Sequence, residues 1–257
     1  MGAARKVERA SRKKQEQLGL LDATGTKPAS KRGGKRKGAG RKPSGTRARA
    51  SHAKRPALKP TTPVHITLRV LAVMGVLRRR SLWSALRWAT IALASKRDDC
   101  RIVQFSVQRD HIHLVVEAQH AKALADGMRA FQISAAKRMN AKLGRVGQVF
   151  ADRYHAEYLT SPRQVRHALA YVVNNWRKHR EDCGDASRWK HDWYSSGWAF
   201  FGWKERAGEA FVPLPPEGYE APLVWLPKTW LLRDGWRRHG LISLHEVPGG
   251  RSRARTR

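Results

Sequence analysis

Apolar positions along the chain follow two periods. In PVHITLRV (63–70) they alternate: Val64, Ile66, Leu68 and Val70 face one way and His65, Thr67 and Arg69 the other, which predicts a half-buried strand. QRDHIHLVVEA (108–118) repeats the pattern, with His111, His113, Val115 and Glu117 on one side and Ile112, Leu114 and Val116 on the other. One face is oily and the other carries two imidazoles. RIVQFSV lies just upstream, with Gln108, Arg109 and Asp110 between, which suits a hairpin whose second strand starts with the histidines beside the turn. GQVFADRYHAEYL (147–159) alternates well enough to predict a fourth strand.

Three stretches switch to helical spacing. Residues 80–97 set Leu82, Leu86 and Ile91 to Leu93 toward a core, with Ser81 as N-cap. Residues 122–143 repeat Leu124, Met128, Phe131, Ala135 and Met139, a core stripe. Ser161-Pro162-Arg163-Gln164 supplies a cap, a proline at the first helical position and a Gln three residues after the cap; the helix that follows buries Val165, Leu169, Val172 and Trp176. Tyr171 and Asn175, four apart, are neighbours on its flank. The order strand, helix, strand, strand, helix, strand, helix predicts a layered α+β domain: an antiparallel sheet with helices packed on one face and the opposite face open. Strand order does not follow from the sequence.

Composition adds a partner. The 257 residues carry a formal charge of +32, far beyond what solubility requires, and such a field attracts polyanions, most simply nucleic acid. Residues 1–60 hold 19 Lys and Arg against Glu8, Glu16 and Asp22, a net +16, and KRGGKRKGAGRKPSGTRAR (31–49) has almost nothing to bury. This segment reads as a disordered basic tail whose GRKP (40–43) is similar to a minor-groove arm. Arg32, Lys35, Arg36, Lys37, Arg41 and Lys42, with Arg153 and Arg163 further on, are the expected DNA contacts. Residues 61–182 form the expected α+β domain. Residues 183–257 form a Trp-rich extension with a disordered basic end, in which WLPKTWLLRDGWRRHGLISLHE suits a helix packing Trp230, Leu231, Leu232 and Trp236. Aromatics among its cations could stack bases or simply pack. Cys100 and Cys183 make no disulfide framework and no zinc-finger pattern. The start lacks a signal-peptide core and no apolar run reaches membrane length, so the expectation is no membrane and a cytoplasmic, nucleoid-associated protein.

The candidate chemistry follows from the histidine face. Two neutral imidazoles plus a carboxamide oxygen make a three-ligand metal site with open positions, suited to Mg²⁺ or Mn²⁺ polarising a phosphate. Tyr171 beside it would be a nucleophile. A phenol, with an ordinary pKa of about 10, attacks poorly at neutral pH, and a cation that stabilises the phenolate answers that weakness. Glu117 shares the histidine face but lies roughly 13 Å from His113 by strand rise, which predicts a structural role.

HITLRV, DHIHLVVE, GQVFADRYHAEYL and HALAYVVNNWRKH together resemble the REP-associated, single-tyrosine transposases of the HUH superfamily, over residues 61–180. The resemblance implies a ferredoxin-like antiparallel sheet, a divalent-metal site, and cleavage and rejoining of single-stranded DNA near hairpins through a 5′-phosphotyrosine. It matches His111 and His113 to the metal ligands, Tyr171 to the nucleophile and Asn175 to the third ligand. Where the family has Asn-Pro after its tyrosine, this chain has Asn174-Asn175-Trp176. Tyr154 and Tyr158 are the competing nucleophiles. Hairpin-bearing single-stranded DNA is the expected partner, and a homodimer is compatible with it. Two other readings remain: a domesticated, noncatalytic nucleic-acid-binding protein that keeps the fold, and a zinc-dependent hydrolase that uses the two histidines.

Overall fold

The structure is a computed structural model, and it describes residues 57–181, 191–208 and 217–249. The tail cations expected to contact DNA, Arg32, Lys35, Arg36, Lys37, Arg41 and Lys42, lie outside the described residues.

Four strands, β1 (Val64–Arg69), β2 (Cys100–Val107), β3 (His111–Ala118) and β4 (His155–Tyr158), form one sheet in the order β2-β3-β1-β4, with every neighbouring pair antiparallel. Helix α1 (Arg80–Ala94) connects β1 to β2 and helix α2 (Ala121–Lys142) connects β3 to β4, so the β-α-β-β-α-β connectivity and strand order are those of a ferredoxin-like fold. Helix α3 (Pro162–Lys178) follows β4.

The alternating residues sort as their period predicts. Val64, Ile66, Leu68, Ile112, Leu114 and Val116 are buried in one cluster with Leu82, Leu86, Leu124, Met128 and Phe131 of α1 and α2. Close packing here needs a glycine: a β-carbon on Gly127 of α2 would collide with Cys100 of β2. Burial pushes the Cys100 thiol up to about 12.

The expectation of an open opposite face is corrected. Val165, Leu169, Val172 and Val173 of α3 pack with Val115 of β3 and Val103 of β2, together with Phe200, Trp203, Trp236 and Ile242 from the C-terminal residues. A register shift between Ile102 and Gln104 lets β2 give Val103 to this second cluster while Ile102, Phe105 and Val107 stay in the first. The outer edge of β2 is covered too: Tyr194 accepts a hydrogen bond from Val107, Ser196 donates to Phe105 and Trp225 donates to Ile102. Those contacts close a sheet edge that would otherwise invite another strand.

Three local expectations also change. Helix α1 starts one residue before Ser81, with Arg79 as the uncapped N-cap. The fourth strand shrinks to His155–Tyr158, because 151–153 bend away after a single Val70–Phe150 bridge. The expected C-terminal helix is one turn, α4 (Trp230–Arg233), ending at Asp234, and a 3₁₀ turn brings Trp236 into the core while Trp230 stays 44% exposed. The α3 start holds in full: Ser161 and Gln164 form both halves of a capping box, with Pro162 at the first position. Among the described residues, no helix is long and apolar enough to cross a membrane.

Candidate active site

Antiparallel register decides what meets the histidines. Thr67 of β1 pairs with His113, Arg69 with His111 and His65 with Val115, so the polar side of β1 lies beside the polar side of β3. His113 is 3% exposed, and its Nδ1 lies 3.2 Å from both Thr67 Oγ1 and His65 Nε2. His65 in turn meets Glu157 of β4 at 3.8 Å, which completes a line from carboxylate to imidazole to imidazole. His111 pairs its Nδ1 with Asp110 at 2.6 Å. Burial would raise the Asp110 carboxyl, but the His111 contact and nearby Arg69 bring it below its usual range.

Helix α3 lies across this face. The ring of Tyr171 meets the ring of His113 edge-on at 5.0 Å and that of His65 at 5.8 Å, and two turns further on the His179 ring stands 5.8 Å from His111. Asn175, one turn from each, therefore falls between the contacts that α3 makes with His113 and His111. It is fully buried, and neither atom of its amide has a protein partner. His113 Nε2 is likewise buried without one. Asn174, by contrast, donates to Ser243 O at 2.8 Å and ties α3 to the C-terminal residues.

The structure thus brings His111, His113, Tyr171 and Asn175 together. It puts the competing tyrosines elsewhere. Tyr154 is buried in the α1–α2 core, and Tyr158, opposite Val64, packs against that same core, so both address the far side of the sheet from His113. Arg153, in the bend before β4, and Arg163, on the first turn of α3, are exposed. Glu117 has the structural role expected of it: it pairs with Arg101 at 3.5 Å and accepts hydrogen bonds from the backbone of Lys228 and Thr229.

Electrostatics keep the buried imidazole neutral. Burial, then His65, His111, His179 and Lys178, depress the His113 imidazole to about 2, and burial lowers His65 as well. With Nδ1–H shared with Thr67 or His65, His113 Nε2 keeps its lone pair, as His111 Nε2 does when its other nitrogen donates to Asp110. Two imidazole nitrogens and an amide oxygen without a partner fit a divalent cation. Among the described residues no group of three or more His, Cys, Asp or Glu side chains could hold one, so the amide and substrate oxygens would have to complete the ligand set.

His65, Thr67, Asp110, Glu157, Lys178 and His179 were not among the residues singled out from the sequence. The signals were there for two of them: His65 alternates onto the polar side of β1, and His179 follows Asn175 by one helical turn.

The fold and this face define a ferredoxin-like domain with a paired-histidine strand, a tyrosine and an asparagine on the helix above it. Residues 64–175, from β1 to Asn175, match the family model described as transposase IS200 like. Among solved structures, the chain is similar to a REP-associated tyrosine transposase bound to a REP hairpin, with 18% identity over 57% of this chain and 82% of that one and a TM-score of 0.43. It is also similar to a proposed transposase from Deinococcus radiodurans R1, with 16% identity, 52% and 97% coverage and a TM-score of 0.32. No curated protein matches the chain.

Proposed function

We propose that this protein is a single-tyrosine HUH transposase that cleaves and rejoins single-stranded DNA near hairpins, with Tyr171 as nucleophile and a Mg²⁺ or Mn²⁺ ion held by His111, His113 and Asn175. One observation carries the proposal: Tyr171 is the tyrosine that lies against His113, whose Nε2 is buried without a protein partner, as is the amide of Asn175 one helical turn after Tyr171. The match of residues 64–175 to the IS200-like transposase family model supports the reaction class. The hairpin preference rests on the sequence resemblance to REP-associated tyrosine transposases.

In the reaction, the Tyr171 oxygen attacks phosphorus and forms a P–O bond as the P–O3′ bond breaks. The phenol gives up its proton and the leaving 3′ oxygen takes one up, so a 5′-phosphotyrosine and a free 3′-hydroxyl result. Attack by a 3′-hydroxyl reverses the step and rejoins DNA without an external energy source, because the ester energy stays in the link. A bound cation would draw charge off the scissile phosphate and its oxygens. Asp110, Thr67 and His65 orient the two imidazoles, Glu157 orients His65, and burial keeps His113 unprotonated. Lys178, whose Nζ lies 5.0 Å from the centre of the Tyr171 ring, adds positive charge where the phenolate and phosphate meet.

The test is incubation with labelled, hairpin-bearing single-stranded DNA and Mg²⁺ or Mn²⁺. A denaturation-resistant adduct should form, require metal and vanish in Tyr171→Phe. Tight binding with no adduct on any hairpin would make the protein a binder, and an adduct surviving Tyr171→Phe would overturn the nucleophile.

A further inference from the structure

Apolar packing alone leaves α3 free to slip. Val165, Leu169, Val172 and Val173 meet Val103 and Val115 of the sheet through branched aliphatic side chains. Such burial is non-directional, so it keeps the helix on the sheet without fixing its rotation or its place along its own axis. The proposed chemistry needs both fixed, because Tyr171 and Asn175 must meet the histidines together. A slip of one residue moves each side chain about 1.5 Å along the axis, and a misplacement of about 1 Å can cost a reaction about 100-fold.

Directional contacts come from residues 240–246. Both Nη atoms of Arg166 fork onto the Glu246 carboxylate, and Nη2 also donates to Leu241 O at 3.1 Å. Asn174 Nδ2 donates to Ser243 O at 2.8 Å. Two adjacent asparagines thus divide the work: the Asn174 amide is bound to protein, and the Asn175 amide is not. By helix geometry the two grips lie about 12 Å apart along α3 and about 80° apart around it, with Arg166 about 180° from Asn175. Contacts at two heights and two angles oppose both rotation and sliding, which a single contact cannot do.

The gripping segment is itself anchored to the sheet. Glu205 accepts a hydrogen bond from Ser243 Oγ and one of 2.9 Å from Leu244 N. Ile242 N donates to Gly202 O at 3.0 Å and Lys204 N donates to Ile242 O at 2.8 Å, a short ladder on either side of Trp203. Trp203 Nε1 donates to Gly197 O at 2.8 Å, and the neighbouring Ser196 N donates to Phe105 O of β2 at 2.7 Å. A line of hydrogen bonds and covalent neighbours therefore runs from β2 to Asn174. Strand β2 pairs with β3, which carries His111 and His113.

We propose that residues 240–246 set the register of α3 over the histidine face, and that Arg166 and Asn174 are positioning residues for Tyr171 and Asn175. The proposal rests on the transposase reading and adds that the reaction depends on a segment outside the 64–175 match. That segment acts on the reaction through the helix.

The experiment uses the full chain, hairpin-bearing single-stranded DNA and Mn²⁺, at a temperature where circular dichroism shows each variant folded. Asn174→Ala should slow single-turnover adduct formation about tenfold at saturating DNA and Mn²⁺, with the DNA dissociation constant within about twofold of wild type. Glu246→Ala, which alters a half-buried side chain outside α3, should do the same and carries the test if Asn174→Ala does not fold. Mn²⁺ affinity measured without DNA should fall about tenfold in both, because Asn175 moves with the helix. Glu117→Gln controls for lost stability alone and should keep the wild-type rate and Mn²⁺ affinity. If both variants keep the wild-type rate and affinity, or if Glu117→Gln loses as much as they do, the segment only adds stability and the proposal is wrong. The two readings fail separately. An adduct whose rate ignores both substitutions removes only the positioning role, whereas a wild type that forms no adduct removes the chemistry and leaves Mn²⁺ affinity to decide the positioning role.

Discussion

The two ends of β3 offer a contrast on one face of one strand. At one end, His113 and the Asn175 above it are buried with polar atoms that no protein group meets. Four residues on, Glu117 is 5% exposed, and Arg101 and two backbone N–H groups satisfy its carboxylate. An orphaned buried polar atom costs about 1–3 kcal/mol. The proposed metal site accounts for the open atoms at the histidine end, whereas the Glu117 carboxylate is already met by protein donors.

Substitutions sharpen the contrast. Glu117→Gln should lower stability by about 3 kcal/mol, because it strands the buried Arg101 guanidinium. Chemical denaturation would show this, and metal-dependent adduct formation should survive below the unfolding transition. His113→Gln should do the reverse: stability holds within about 1 kcal/mol, while metal affinity and adduct yield fall by more than about 100-fold. If both variants lose stability alike, the two ends do not differ in kind.

The next effect is smaller. His65→Ala should weaken metal affinity about 10- to 100-fold through the loss of His113 orientation, the range for a residue that supports a ligand. Mn²⁺ titration reads this directly, and unchanged affinity would make the Glu157–His65–His113 line mere packing.

Acid should act at the histidine end. The folded state holds His113 neutral with its pKa near 2, and the unfolded chain protonates it at the ordinary 6.5. Its neutral burial therefore leaves stability intact above pH 6.5 and erodes it as pH falls from 6.5 toward 2. Between pH 6.5 and 5 the loss is about 1.5 kcal/mol, and His113→Gln should flatten that slope in urea unfolding. The smallest change is Arg180→Gly: Arg180 sits at φ 56°, so glycine there should gain about 1 kcal/mol of stability without moving metal affinity.

How much of this could be read beforehand follows from which period carries the information. Alternation in 63–70 and 108–118 assigned each residue to a face, and the capping box marked the α3 start, because both are local. His65 escaped notice as a site residue because its place beside His113 depends on β1–β3 register, which no local pattern specifies. The same holds for α3. Its i, i+4 spacing joined Tyr171 to Asn175, but nothing in it said which side of the sheet they would cover. Ser81 resembled a cap, yet the chain enters α1 one residue earlier. The C-terminal residues lack a sustained period, so their cover over β2 and α3 became visible only in three dimensions.

The most direct test of the central claim is Mn²⁺ binding to the purified full chain, measured without DNA by calorimetry or electron paramagnetic resonance. The account predicts one site per chain that is lost in His113→Gln, weakened in Asn175→Ala and intact in Glu117→Gln. Equal Mn²⁺ binding by wild type and His113→Gln would contradict it.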